Sequence, residues 1–194
     1  MPWSGFSEAH SPDGVAVNTA NGSGSHNVQM FILSADGTVL TCMQGFWNAT
    51  DVVSELQLAE DLNKVWLDPN LTKVQKDSIF RSMQLHHIAR HSQQEAARSH
   101  MQGFDQQFEA EHRPNSDLIA GRGADGKPVF KTTDVIMHER MARQPFVPYG
   151  DFNTAAFVDY GKEKYDKGEN KLKADGSAKS PSLEGVLSGW RRVL

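Results

Sequence analysis

Residues 28–66 constrain the fold of this 194-residue chain more than any other stretch. Val28-Gln29-Met30-Phe31-Ile32-Leu33 is an almost unbroken apolar run, the pattern of a strand buried on both faces. Asp36-Gly37 follows, a dipeptide suited to a tight hairpin because Gly accepts a positive φ at little cost. Thr38 to Phe46 returns as the second strand, and Gly45-Phe46-Trp47 closes it. Asn48 is then placed to cap a helix, with Asp51 in the first turn, where the helix dipole favours a carboxylate. On that helix Val52, Leu56, Ala59 and Trp66, widened by Val53, Leu62 and Val65, form the expected packing stripe, while Glu55, Glu60, Asp61 and Lys64 are expected to face outward.

The order of apolar strand, Asp-Gly turn, strand ending in Gly45-Phe46-Trp47 and helix bearing Glu55-Leu56 resembles the C-terminal half of thioredoxin-family proteins. The resemblance implies an α/β fold: a partial thioredoxin-like hairpin and helix module with an α-helical C-terminal extension. It does not carry the family's chemistry. No CxxC is present, Trp3-Ser4-Gly5-Phe6 has no sulfur, and Ser25-His26-Asn27 stands where the family places a cis-proline. A lone Cys42 cannot run a dithiol cycle, so it is expected to act as a small core residue.

The chain divides on sequence into four parts. Residues 1–27 are a Gly-, Ser- and Asn-rich loop region, 28–67 the hairpin and helix, 68–143 a helical extension, and 144–194 an extended arm, a lysine-rich linker and a terminal helix. Thr72 with Gln75 three residues later predicts a capping-box start to the second helix, whose pattern runs on to about residue 110 with Gly103 as a possible break. Gly121 to Pro128 matches no phosphate-binding loop and reads as a turn. Thr132 or Thr133 can cap a short helix from Asp134 to about Arg143, whose His138, Glu139, Arg140 and Arg143 read as a charged face. Pro145 and Pro148 make the segment around Phe146 an extended arm expected to dock on the body of the chain.

Two sets of residues are candidates for function. His87, His91 and Glu95 fall at i, i+4 and i+8, a spacing that presents two imidazoles and a carboxylate to one metal ion if the helix is continuous; the commoner meaning of such a stripe is a solvated helix face. Phe46, Trp47, Phe146, Tyr149 and Trp190 are candidate apolar contacts for a protein partner or for self-association through an unpaired sheet edge. The net charge of −4 argues against nucleic acid, no apolar run reaches the roughly 18 residues of a membrane span, and no signal segment is legible. The first expectation for function is therefore a non-catalytic thioredoxin-like binding protein or a shortened fragment without a cofactor. The alternatives are a thiol-disulfide oxidoreductase whose CxxC half lies upstream and, below it, a histidine-based metal-binding protein. Compartment is open on sequence.

Overall fold

The computed structural model describes residues 9–10, 16–17, 20–22, 29–101, 103–113 and 115–157. Val28, the lysine-rich segment, the expected terminal helix and Trp190 lie outside them. The described chain is mixed α/β. Two short strands, β1 (Ala9–His10) and β2 (Ala16–Val17), pair antiparallel, and the hairpin of β3 (Gln29–Leu33) and β4 (Val39–Gln44) follows. Four helices come next: α1 (Ala49–Leu67), α2 (Lys73–Ile88), α3 (Gln93–Arg98) and α4 (Gly103–His112). A second hairpin, β5 (Ile119–Arg122) and β6 (Pro128–Phe130), leads to α5 (Thr133–Met141) and two single 3₁₀ turns, Tyr149–Asp151 and Thr154–Phe157. No helix is long and apolar enough to cross a membrane among these residues.

The local signals act where the sequence puts them. Gly37 turns the first hairpin at φ +84°, with the Ser34 amide donating to the Thr38 carbonyl at 2.9 Å. Asn48 caps α1 by accepting from the Thr50 amide, and Thr72 and Gln75 form the reciprocal capping box of α2. The burial of β3 departs from the expectation of a strand buried on both faces. β4 is buried along its whole length, whereas Met30 and Leu33 of β3 are exposed. The reason is pairing: among the described residues β4 is the one strand paired with β3, so β3 is an edge strand.

β4 owes its burial to the arm. The Val39 amide donates to the Val147 carbonyl, Thr38 bridges Pro148, and the Tyr149 amide donates to the Gly37 carbonyl, so residues 147–149 line the edge of β4 opposite β3. Phe146 occupies the left-handed region at φ 49°, uncommon for a bulky residue. It is held there by Trp66, stacked at 5.1 Å, and by Phe80, edge-on at 4.8 Å. The arm thus docks in cis, and it corrects the apolar-contact set: Phe146 and Trp47 are core residues with 3% and 5% exposure, closed to a partner. Tyr149 is exposed while its ring makes a T-shaped contact with Phe31 at 5.0 Å, and Phe46 is half-buried.

One core joins the hairpin and helix module to the extension. Val39, Leu40 and Met43 from β4, Leu58, Ala59 and Leu62 from α1, Phe80 from α2, and Met137 and Met141 from α5 pack together under Phe146, Phe152 and Phe157. Cys42 lies in the same core, where burial pushes its thiol up to about 12, so it is an inert packing residue. The stripe on α1 is shifted from the one expected: Val52, Ala59, Leu62, Val65 and Trp66 pack on the core, but its edges differ. Val53 and Leu56 are exposed, and the buried positions are Asp51, Glu55, Leu58, Ala59 and Leu62, so Glu55 faces inward.

Phe146→Ala is expected to cost about 3–5 kcal/mol, the range for a buried aromatic whose cavity cannot close. Urea unfolding checks this: a midpoint shift worth under about 1 kcal/mol would mean that the arm does not close the core.

Candidate metal centre

Three helices each carry polar residues at positions where an amphipathic helix ordinarily places apolar ones. On α1, Asp51 and Glu55 continue the register of Leu58, Ala59 and Leu62; on α2, Gln84 and His87 continue that of Phe80; on α5, Asp134 and His138 alternate with Met137 and Met141. α2 packs against both α1 and α5. Because a helical side chain at i lies beside those at i+3 and i+4, these polar residues meet in the interior, at one end of the shared core.

The helix does not run on through His91 and Glu95, so the expected i, i+4, i+8 stripe does not exist as such. α2 ends at Ile88; Ala89 and Arg90 turn the chain, and Ser92 starts α3 by accepting from the Glu95 amide at 3.1 Å. The turn folds His91 back under α2, and its ring centroid stands 4.7 Å from that of His87. Neither ring is on a solvated face. The side chains of His87 and His91 are 10% and 3% exposed, and His138 is fully buried. The face of α5 read as charged is largely internal too, since His138 and Arg140 are both buried.

Glu55, His87, His91 and His138 converge. One donor atom from each lies within 4.8 Å of all the others. Glu55 Oε1 is the common point: it is 3.1 Å from His138 Nε2, 3.2 Å from His87 Nε2 and 3.8 Å from His91 Nε2. A tetrahedron with metal–ligand bonds of ~2.0–2.1 Å has corners roughly 3.3 Å apart, and the separations from Glu55 Oε1 bracket that value while the set as a whole spans up to 4.8 Å. Glu95, the third residue of the expected trio, stands beside the set with Oε1 3.5 Å from His91 Nε2. Sequence reasoning missed Glu55 and His138. His86, His100 and His112 are exposed and take no part.

The outer hydrogen bonds decide which nitrogen faces inward. Gln84 spends its amide N–H on the Leu40 carbonyl, so its Oε1 accepts from His138 Nδ1–H at 2.6 Å. Asp134 Oδ2 accepts from His91 Nδ1–H at 2.7 Å. In both rings Nδ1 carries a proton, and Nε2 faces Glu55 Oε1, an acceptor, with an N–H if the ring is an imidazolium and with a lone pair if it is not. Lone pair facing carboxylate is repulsive unless a proton or a cation lies between them. The second carboxylate oxygen of Glu55 and His91 Nε2 have no hydrogen-bond partner, although both are buried.

Charge points the same way. Asp51, Glu55, Glu95 and Asp134 are all buried within this region, and the guanidinium placed among them is Arg98, which is committed to Asp51. Burial by itself drives the Glu55 carboxyl up, but the imidazoles of His138 and His87 outweigh it and hold it at about 2. Burial likewise opposes ionisation of Asp134, and the hydrogen bond from His91 overrides it and lowers its pKa. His91 is raised: burial opposes its charge, but Asp134 and Glu95 together prevail. Glu95 is raised, first by burial. A pocket of carboxylates this dry attracts positive charge.

The rigid frame around the pocket is tied by Asn21. Its side chain donates to Asp51 Oδ2 at 2.7 Å and to Ser99 Oγ at 3.1 Å, its Oδ1 accepts from the Asn48 amide, and its carbonyl accepts from Thr133 Oγ1. One residue thereby joins the starts of α1 and α5 to the end of α3. Gly22 is glycine for a steric reason: its φ is +74°, and a Cβ there would sit 3.0 Å from Thr133 Cβ. Comparison with protein-family models, with curated proteins and with solved structures finds no match for this chain.

The Asp51 carboxylate bears on acid stability. Burial raises its pKa, but the bonds from Arg98 and Asn21 more than offset this, so the folded value lies below the ordinary one. A depressed carboxylate adds stability above its unfolded pKa and loses it as pH falls through the folded one. Asp51→Asn is therefore expected to flatten the fall of the urea midpoint below about pH 4. Identical acid limbs for variant and wild type would contradict the assignment.

Proposed function

We propose that this protein binds one divalent transition-metal ion through Glu55, His87, His91 and His138. The observation that carries this reading is the convergence of three imidazole Nε2 atoms on one buried carboxylate oxygen, with Nδ1 of His138 and His91 already spent on Gln84 and Asp134. A ligating histidine whose other nitrogen donates to an amide or carboxylate is the usual arrangement in protein metal sites, because that bond fixes the tautomer and the ring plane. An ion in the pocket replaces the protons otherwise needed between Nε2 and Glu55.

The donor set selects the ion by type. Three imidazoles and a carboxylate suit zinc, iron, nickel, cobalt or manganese in the divalent state, while calcium and magnesium call for all-oxygen shells. Copper(I) prefers sulfur, and the one cysteine is held in the apolar core. The reading of the chain as a non-catalytic thioredoxin-like binding protein keeps its support in the order of residues 28–66, but it has lost Trp47 and Phe146 as contacts to the core.

The test is metal content and metal-linked stability. Protein stripped with a chelator is expected to take up about one zinc or cobalt ion per chain by equilibrium dialysis, and to be stabilised by about 2.7 kcal/mol when free metal is 100 times the dissociation constant. Glu55→Gln and His138→Ala are expected to weaken binding beyond the ~10–100-fold that loss of an outer partner such as Gln84 costs. His100→Ala and His112→Ala serve as controls and should bind as wild type. Equal metal uptake by wild type and the Glu55→Gln/His138→Ala double variant would overturn the proposal.

A further inference from the structure

Glu95 is the part of this centre that the four-ligand reading leaves unused. Ser92-Gln93-Gln94-Glu95 has the spacing of a capping box, in which the glutamate would return a hydrogen bond to the Ser92 amide as Gln75 does to that of Thr72. The first half of the box forms, from the Glu95 amide to Ser92 Oγ. The second half does not: the carboxylate turns inward, 6% of the residue is exposed, and Oε1 has no hydrogen-bond partner. A helix start has given up a local bond to put a charged group into the interior.

The group is aimed at one side of the centre. Glu95 Oε1 lies 3.5 Å from His91 Nε2, itself unpartnered, and belongs to the acidic and imidazole atoms around the pocket without joining the four that lie within 4.8 Å of one another. It is near enough to His91 to adjoin the ion and is set outside the converged donors. That is the position of a group which accepts a hydrogen bond from a ligand on the metal.

We propose that Glu95 faces an open coordination position beside His91 and holds a neutral oxygen ligand there, water in the resting protein, through an O–H donated to its Oε1. The inference rests on the four-ligand reading and extends it. The centre is then a binding site for small hydroxylic ligands with one exchangeable position, and the carboxylate selects against anions. Glu95 is a positioning residue for that ligand and not a fifth protein ligand.

The cobalt(II)-loaded full chain tests this, with azide as the probe of an exchangeable position. Cobalt affinity is measured first by dialysis, so absence of cobalt from the wild type defeats the four-ligand reading and this inference with it. With cobalt bound, azide is expected to change the visible ligand-field spectrum saturably in the wild type. Both Glu95→Gln, which keeps the side-chain shape, and Glu95→Ala should bind azide about tenfold more tightly, since a charge-assisted bond to water and a repelling charge are removed. Their cobalt affinity should fall by no more than the ~10–100-fold that loss of an outer partner costs, because no bond to the metal is lost. A stoichiometric cobalt protein whose spectrum ignores azide would overturn the open position. Unchanged azide affinity in both variants would overturn the role of Glu95, and a loss of cobalt affinity far beyond about a hundredfold would make it a ligand instead.

Discussion

A carboxylate with no exposed surface, Glu55, sits in the core register of α1, the longest of the described helices, and the neighbouring elements are arranged around that fact. Moving an ion of this size into a dry interior costs several kcal/mol even after relaxation. The cost is offset only by opposite charge and directed hydrogen bonds, and α2, the turn after it and α5 each bring one imidazole to the same oxygen. The pocket is thus a consequence of placing Glu55 inside, and so is the length of its outer ring. Gln84, Asp134, Asp51, Arg98 and Asn21 exist there as partners of partners, each satisfying a group that burial would otherwise orphan.

The apolar core and the polar cluster share their helices. Leu58, Ala59 and Leu62 pack on β4 and Phe80 from the same face of α1 that carries Glu55, and Met137 and Met141 flank His138 on α5. Close packing on one side fixes the helix rotations to which the ligand atoms on the other side are tied. The arm that stacks Phe146 on Trp66 and lines β4 closes the end of this core, so its contribution to the centre is rigidity.

What the sequence disclosed, and what it hid, follow from the range of the interactions. Asn48, the Thr72 and Gln75 box and the Asp36-Gly37 turn act within a few residues, and all three were legible. The exact face of α1 was not: Val53 and Leu56 flank the stripe of Val52, Ala59 and Leu62 on one side as Leu58 does on the other, and only the partners of α1 decide which side is buried. The break after α2 has neither glycine nor proline, and its sole local sign is the Ser92 cap. His138 lies too far along the chain for spacing to join it to His87 and His91. The readable trace was of another kind, a charged or imidazole residue in core register on three separate helices. That signal names a buried polar site, and which residues meet in it is settled by helix packing.

The central claim is that three imidazoles and the Glu55 carboxylate bind one ion. X-ray absorption at the metal edge of the zinc- or cobalt-loaded protein reads that shell directly. The account expects nitrogen and oxygen neighbours at ~2.0–2.1 Å, outer-shell scattering from three imidazole rings and no sulfur. A spectrum of water-like oxygens without imidazole scattering, or one with fewer than two rings, would contradict it.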